Sequence, residues 1–260
     1  MRTARFLLAL LATNIKASFA LRGAFWLQAG FMVANNLIFF TVWLIFFDRF
    51  DEIRGWRLGD MALLYGVAAS SFGLAVILAD GVRDLARMIV EGDLDAYLTQ
   101  PKPVLLQAAA SRTLPSGWGD VISGAVLIGM SGLVSASNLA WVLLAPLLGA
   151  AAVTSIAVLV CSLAFWIGPM GHLARQLIEF TVLCAVYPTS IFSGGMRIVI
   201  FTVIPAAFVS HLPAELIREG DPWVLVSAVG GVALIAAMAI GLFHRGLRRY
   251  ASGNRFGVRA

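Results

Sequence analysis

Of the 260 residues, 60% are apolar and 13% charged, and the mean hydropathy is +0.89. Soluble domains carry about 25% charged residues, so a water-soluble globule is excluded. The net charge of +5 would suggest nucleic acid in a soluble chain, but membrane topology accounts for it here.

A bilayer-spanning helix needs about 20 mostly apolar residues. Six stretches qualify: 23–47, 61–79, 118–136, 139–167, 173–190 and 222–243. The expected fold is therefore an all-α polytopic membrane protein, a single transmembrane domain over 1–260. With the N-terminus inside, only Arg49, Arg54, Arg57, Arg197 and Arg218 fall on the outer side. Every other Lys and Arg is then inner, which satisfies the positive-inside rule and returns the C-terminus to the cytoplasm.

Residues 1–22 read as an amphipathic interfacial helix. Phe6, Leu7, Leu10, Leu11, Ile15 and Phe19 face lipid or protein, with Arg2, Arg5 and Lys16 in water. Lys16 interrupts the apolar run that would otherwise resemble a signal peptide.

Residues 80–103 are the most patterned stretch, within a cytoplasmic segment 80–117. Asp80 can cap a helix on which Val82, Leu85 and Ile89 share a face. Gly92 breaks it. Asp93 can cap a second short helix presenting Leu94, Tyr97 and Leu98, ended by Pro101 and Pro103. A short helix with an apolar knob and acidic flanks suits a groove on another protein.

Residues 177–216 are too long for one span and too short for two with a turn. Pro188, Gly194-Gly195, Pro205 and Pro213 interrupt them. Irregular backbone at membrane depth is tolerated only where protein or water covers it. The expectation is a fifth helix to about Ile191, then a re-entrant hairpin over roughly 195–216 within an outer segment 191–221.

Glu179 is the most evident intramembrane acid, and such a group is a functional candidate because desolvating it is costly. A structural alternative pairs it with Arg175, one turn earlier. Asn35, Asn36, Ser70 and Ser71 could line a path, but Gly66, Ser70 and Gly73 also suit close helix packing.

Other chemistry is weaker. Cys161 and Cys184 sit in apolar runs without metal spacing, and His172, His211 and His244 are scattered, so no metal site is expected. Gly129-Met130-Ser131-Gly132 has the form of an intramembrane serine protease motif, but His172 belongs near the opposite membrane face. No GxxxxGK[ST] phosphate loop is present, as Lys16 and Lys102 follow Ile15 and Pro101. The basic segment 244–260 suits anionic lipid better than nucleic acid.

The run Glu91-Gly92-Asp93-Leu94-Asp95 with Tyr97-Leu98 and Pro101 resembles the corresponding loop of type-2 ABC exporter permeases. Tyr187-Pro188 with Ile191-Phe192, Ile204-Pro205 with Phe208, and the closing Tyr250-Ala251-Ser252-Gly253-Asn254 are similar to other elements of a six-span bacterial subgroup often encoded as pairs. The resemblance implies a permease half in the bacterial cytoplasmic membrane, partnered by a second permease chain, the same or different, and two cytoplasmic ABC ATPase subunits. ATP and Mg would be held by those subunits, with no cofactor in this chain. Glu91, Gly92, Asp93, Leu94, Asp95, Tyr97, Leu98 and Pro101 would form the ATPase contact. Glu179, Phe180, Tyr187 and Phe192, with Ser70 and Asn36, would line the translocation path for a hydrophobic or amphipathic, even cationic, compound. The rival expectation is a passive channel or scaffold without ATPase coupling.

Overall fold

The computed structural model describes residues 2–192, 194–202 and 204–250. The motif residues Ala251 to Asn254, with Arg255 and Arg259, lie outside them. Thirteen α-helices follow one another among the described residues. They are α1 (Arg2–Ser18), α2 (Arg22–Phe47), α3 (Leu58–Ala79), α4 (Leu85–Glu91), α5 (Asp95–Leu98), α6 (Val104–Ala109) and α7 (Ser116–Met130), then α8 (Leu139–Ser162), α9 (Ala164–Ile167), α10 (Gly171–Ala185), α11 (Gly195–Thr202), α12 (His211–Glu219) and α13 (Pro222–Leu247). A 3-10 turn, Asp80–Asp84, joins α3 to α4.

Among the described residues, four helical stretches are each long and apolar enough to cross a bilayer: Arg22–Phe47, Leu58–Glu91, Leu139–Ile167 and Pro222–Leu247. The expected spans at 118–136 and 173–190 correspond to α7 and α10, of 15 residues each. At 1.5 Å per residue these reach only about 22 Å. The reasons are local. Gly132, at φ 71°, follows the Ser131 cap of α7, and Pro188 pushes the residue before it out of helical geometry just beyond α10.

The centre of the fold is an antiparallel seam between α3 and α7. Glycines make it possible. A Cβ on Gly66 would meet the Gly124 carbonyl oxygen at 2.7 Å, and one on Gly73 would meet the Gly117 carbonyl at 2.6 Å. The reciprocal contacts from Gly117 and Gly124 are equally close. Small residues seven apart on both helices thus let two backbones touch. The packing account of Gly66 and Gly73 therefore holds.

Around this pair, α8 packs on α3, α13 on α8, and α2 on α7. The buried stripe of α2 is Phe25, Ala29, Asn36 and Phe40, while Phe31, Ile38 and Ile45 face outward. α1 turns Phe6, Leu7, Leu10, Leu11, Asn14 and Ile15 toward the protein at helical spacing and leaves Leu8 and Lys16 exposed. Asn14 Nδ2 donates to the Ala110 carbonyl at 2.7 Å, tying α1 to the α6 region.

The chain after α10 turns back into the bundle. Residues 205–210 pass beside Ser71, Gly149 and Gly231, all in the middle stretches of α3, α8 and α13. Phe208 occupies the space where a Cβ on Gly231 would be. Ser210 Oγ donates to the Ala185 carbonyl at 2.5 Å, and α12 then returns to the end of the bundle carrying Asp60. There Arg218 pairs with Asp60 at 3.3 Å and covers the Trp56 ring, and Asn138 Nδ2 donates to the Ile217 carbonyl at 3.0 Å.

Candidate functional site

The opposite end of the bundle carries residues 80–115. Asp80 does not cap a helix: it closes α3 and enters the 3-10 turn with a fully buried carboxylate. That carboxylate accepts from Arg112 Nε, and Arg83 lies 3.5 Å away. Asp84 is shared by Arg112 and, at 3.4 Å, by Arg175 of α10. A buried carboxylate requires such partners, since its desolvation is otherwise prohibitive.

Glu179 is not paired with Arg175. Its Oε1 accepts from Arg83 at 3.2 Å, because the 3-10 turn projects Arg83 across to α10 while Asp84 takes Arg175. Two cross-element ion pairs, Arg83 with Glu179 and Asp84 with Arg175, therefore link the 80–84 turn to α10.

α4 ends at Gly92 in the left-handed conformation, φ 82°, as a C-terminal glycine does. Val82, Leu85 and Ile89 are buried as their spacing predicts. Asp93 does not cap the next helix: its Oδ2 accepts from Arg87 at 3.1 Å, and Glu91 accepts from the same guanidinium at 2.5 Å.

The apolar residues here divide in two. Leu94 is 0% exposed, packed in a core with Leu85, Ala108, Cys161, Ala174 and Phe243. Leu98 is 44% exposed. Leu94 is therefore an anchor and not a knob, and the exposed surface runs through Glu91, Ala96, Leu98, Thr99, Gln100 and Pro101, with Tyr97 half-buried.

Beyond α13, Tyr250 meets Phe165 edge-on at 6.3 Å and lies beside Asp95. Burial first, and Asp95 next, push its phenol up to about 12, so it stays neutral. Tyr250, just beyond α13, thus reaches α5.

The other expected path residues separate. On α10, Ala174, Ile178, Thr181 and Ala185 form the buried stripe, leaving Gln176, Glu179 and Phe180 exposed, and Tyr187 is exposed just beyond it. The Glu179 side chain is 55% exposed. An acid and an amide on the open face of an apolar bundle suit water or another protein, not hydrocarbon. Phe192 is half-buried against the core that includes Cys184, Ala185, Ala206 and Val209. Ser70 and Asn36 lie inside the α2, α3 and α7 packing, so neither stands on an open face.

Asn36 Nδ2 donates at 2.8 Å both to Asp120 Oδ1 and to Ser123 Oγ. Asp120 is 2% exposed and is not singled out by sequence pattern, although its place five residues into the apolar run from Ser116 was the signal available. Ser131 and His172 lie at opposite ends of the bundle, and Ser131 Oγ donates to the Ile128 carbonyl. No cluster of metal-binding side chains occurs among the described residues.

A family model described as ABC-2 family transporter protein matches residues 32–253. The chain belongs to the ABC-2 transporter family. It is a membrane permease component of an ABC transporter, of a kind that works with an ABC ATPase. No curated protein and no solved structure matches this permease.

Proposed function

We propose that this permease is the membrane half of an ATP-driven exporter, moved by a separate cytoplasmic ATPase that grips the exposed face of residues 91–101. The supporting observation is that this face is backed by a rigid anchor: Leu94 is sunk in the core while the adjoining 80–84 turn is ion-paired to α10. A push on Leu98 and Glu91 would then be delivered to the helix bearing Glu179 and Phe180.

In this reading α7 and α10 complete six spans, with both termini cytoplasmic and the 195–216 segment re-entrant from the outer side. Two permease chains and two ATPases form the transporter, in a bacterial cytoplasmic membrane. The open face of α10 meets the second permease chain across the path. Phe180, Tyr187 and Phe192 favour a hydrophobic or amphipathic substrate, and Glu179 favours one carrying positive charge.

Reconstitution with the cognate ATPase tests both parts. Leu98→Asp should fold normally yet lower ATP-dependent transport by about tenfold, equivalent to about 1.4 kcal/mol of lost docking. Glu179→Gln should reduce transport of an amphipathic cation more than that of its neutral analogue. Unchanged transport in Leu98→Asp would remove the docking face, and equal effects on the two substrates would remove the charge role.

A further inference from the structure

Away from the docking segment, α8 and α13 leave a groove of about 530 Å³ between them. Its lining is Leu159 from α8 and Ala237, Met238, Gly241, Leu242 and Arg245 from α13. It is apolar along its length and closes in a guanidinium. It is open at Gly241, where a Cβ would meet nothing within 4 Å.

The spacing of Met238, Leu242, Arg245 and Arg249 places them on one face of α13 and its continuation. The Arg249 guanidinium lies 5.7 Å from the centre of the Trp166 ring, at the end of α9. That indole is exposed, and exposed tryptophans at span ends sit at headgroup level. The groove therefore runs from the hydrocarbon layer up to a cationic rim at headgroup depth.

The rim charge is available. At this end of the bundle Arg83, Arg87, Arg112 and Arg175 each face a carboxylate. Arg245, Arg248 and Arg249 form no ion pair among the described residues. Their position at the C-terminus of α13 complements the helix dipole, but leaves guanidinium donors free to bind an anion. A guanidinium can hold a phosphate through two parallel hydrogen bonds.

We propose that the α8–α13 groove holds an acyl chain of an anionic phospholipid whose phosphate is bound by Arg245. A lipid meets both demands at once, an apolar tail for the walls and a negative group for the rim. The proposal rests on α8 and α13 spanning the membrane and not on ATPase docking, so the two stand or fall separately.

Native mass spectrometry of the full chain tests it, after equilibration with equal amounts of phosphatidylglycerol and phosphatidylethanolamine of identical acyl composition. The wild type should retain phosphatidylglycerol in preference. Arg245→Gln should lower that retention about fivefold and leave phosphatidylethanolamine unchanged, while Arg245→Lys keeps most of the preference. Gly241→Leu fills the groove and should lower retention of both lipids without impairing folding, since leucine is the better helix former. Equal retention of the two lipids by the wild type overturns the proposal, as does a preference that survives both Arg245→Gln and Gly241→Leu. Displacement of the lipid by inorganic phosphate alone, or a second copy of the chain held at the groove in place of lipid, would overturn it also.

Discussion

Replacing Gly124 with leucine is expected to force α3 and α7 apart and abolish recovery of a monodisperse protein. A Cβ at this position meets the Ser70 hydroxyl and lies 2.6 Å from the Gly66 carbonyl oxygen. The second contact is backbone, which no rotamer change can move aside. Overpacking a tight core costs about 1 to 3 kcal/mol, and a collision with backbone belongs at the top of that range or beyond it. The control lies on the same helix: a Cβ on Gly129 meets nothing within 4 Å, so Gly129→Leu should leave stability unchanged or raise it by up to about 1 kcal/mol through helix propensity. Size-exclusion profiles and melting temperatures in detergent compare the two. Equal behaviour would mean that α3 and α7 do not meet through these glycines.

The second large effect belongs to Asp80. Asp80→Ala removes the carboxylate that holds Arg112 and Arg83 while leaving both guanidinium groups in place. Breaking a buried ion pair from one side costs about 3 to 5 kcal/mol. The Arg112 side chain is 41% exposed and keeps Asp84, and Arg83 keeps Glu179, so the loss here is that of charge-assisted hydrogen bonds, about 1.5 to 3 kcal/mol. Because Arg112 precedes α7 and Asp80 follows α3, the local consequence is release of the intervening 85–111 segment. A drop of several degrees in melting temperature should therefore accompany new proteolytic cleavage near residues 99–103. An unchanged cleavage pattern would show that the ion pairs are not what holds this segment.

The membrane character, the helical fold and the break at Gly92 were legible in the sequence because each follows from composition or from one residue's backbone preference, whereas the fifth helix, expected to reach about Ile191, ends at Ala185 ahead of Pro188. Periodicity also identified Val82, Leu85 and Ile89 as one buried face. It failed just beyond them. The 3-10 turn at Asp80–Asp84 winds at about three residues per turn instead of 3.6, which rotates the faces of α4 relative to α3, and Gly92 redirects the chain again. Leu94 therefore points into the core although it lies at helical spacing from Leu98.

The same turn explains the partner of Glu179. An i,i+4 rule sees Arg175 on its own helix, whereas the nearer guanidinium arrives from Arg83, 96 residues earlier. Asp80 and Asp93 look like caps from composition, but arginines from other turns claim their carboxylates first. Asp120 was hidden for the opposite reason. A single acid in an apolar stretch shows no pattern until Asn36 is placed opposite it.

ATPase coupling through residues 91–101 requires Leu98 to be within reach of the ATPase, and a photo-crosslinking amino acid at position 98 measures this directly in membranes holding the assembled transporter. Trp223, at the other end of the bundle and exposed, supplies the comparison position. A covalent adduct to the ATPase from position 98, with none from position 223, is the predicted result. No adduct from 98, or an adduct from 223, would place the motor elsewhere and contradict the account.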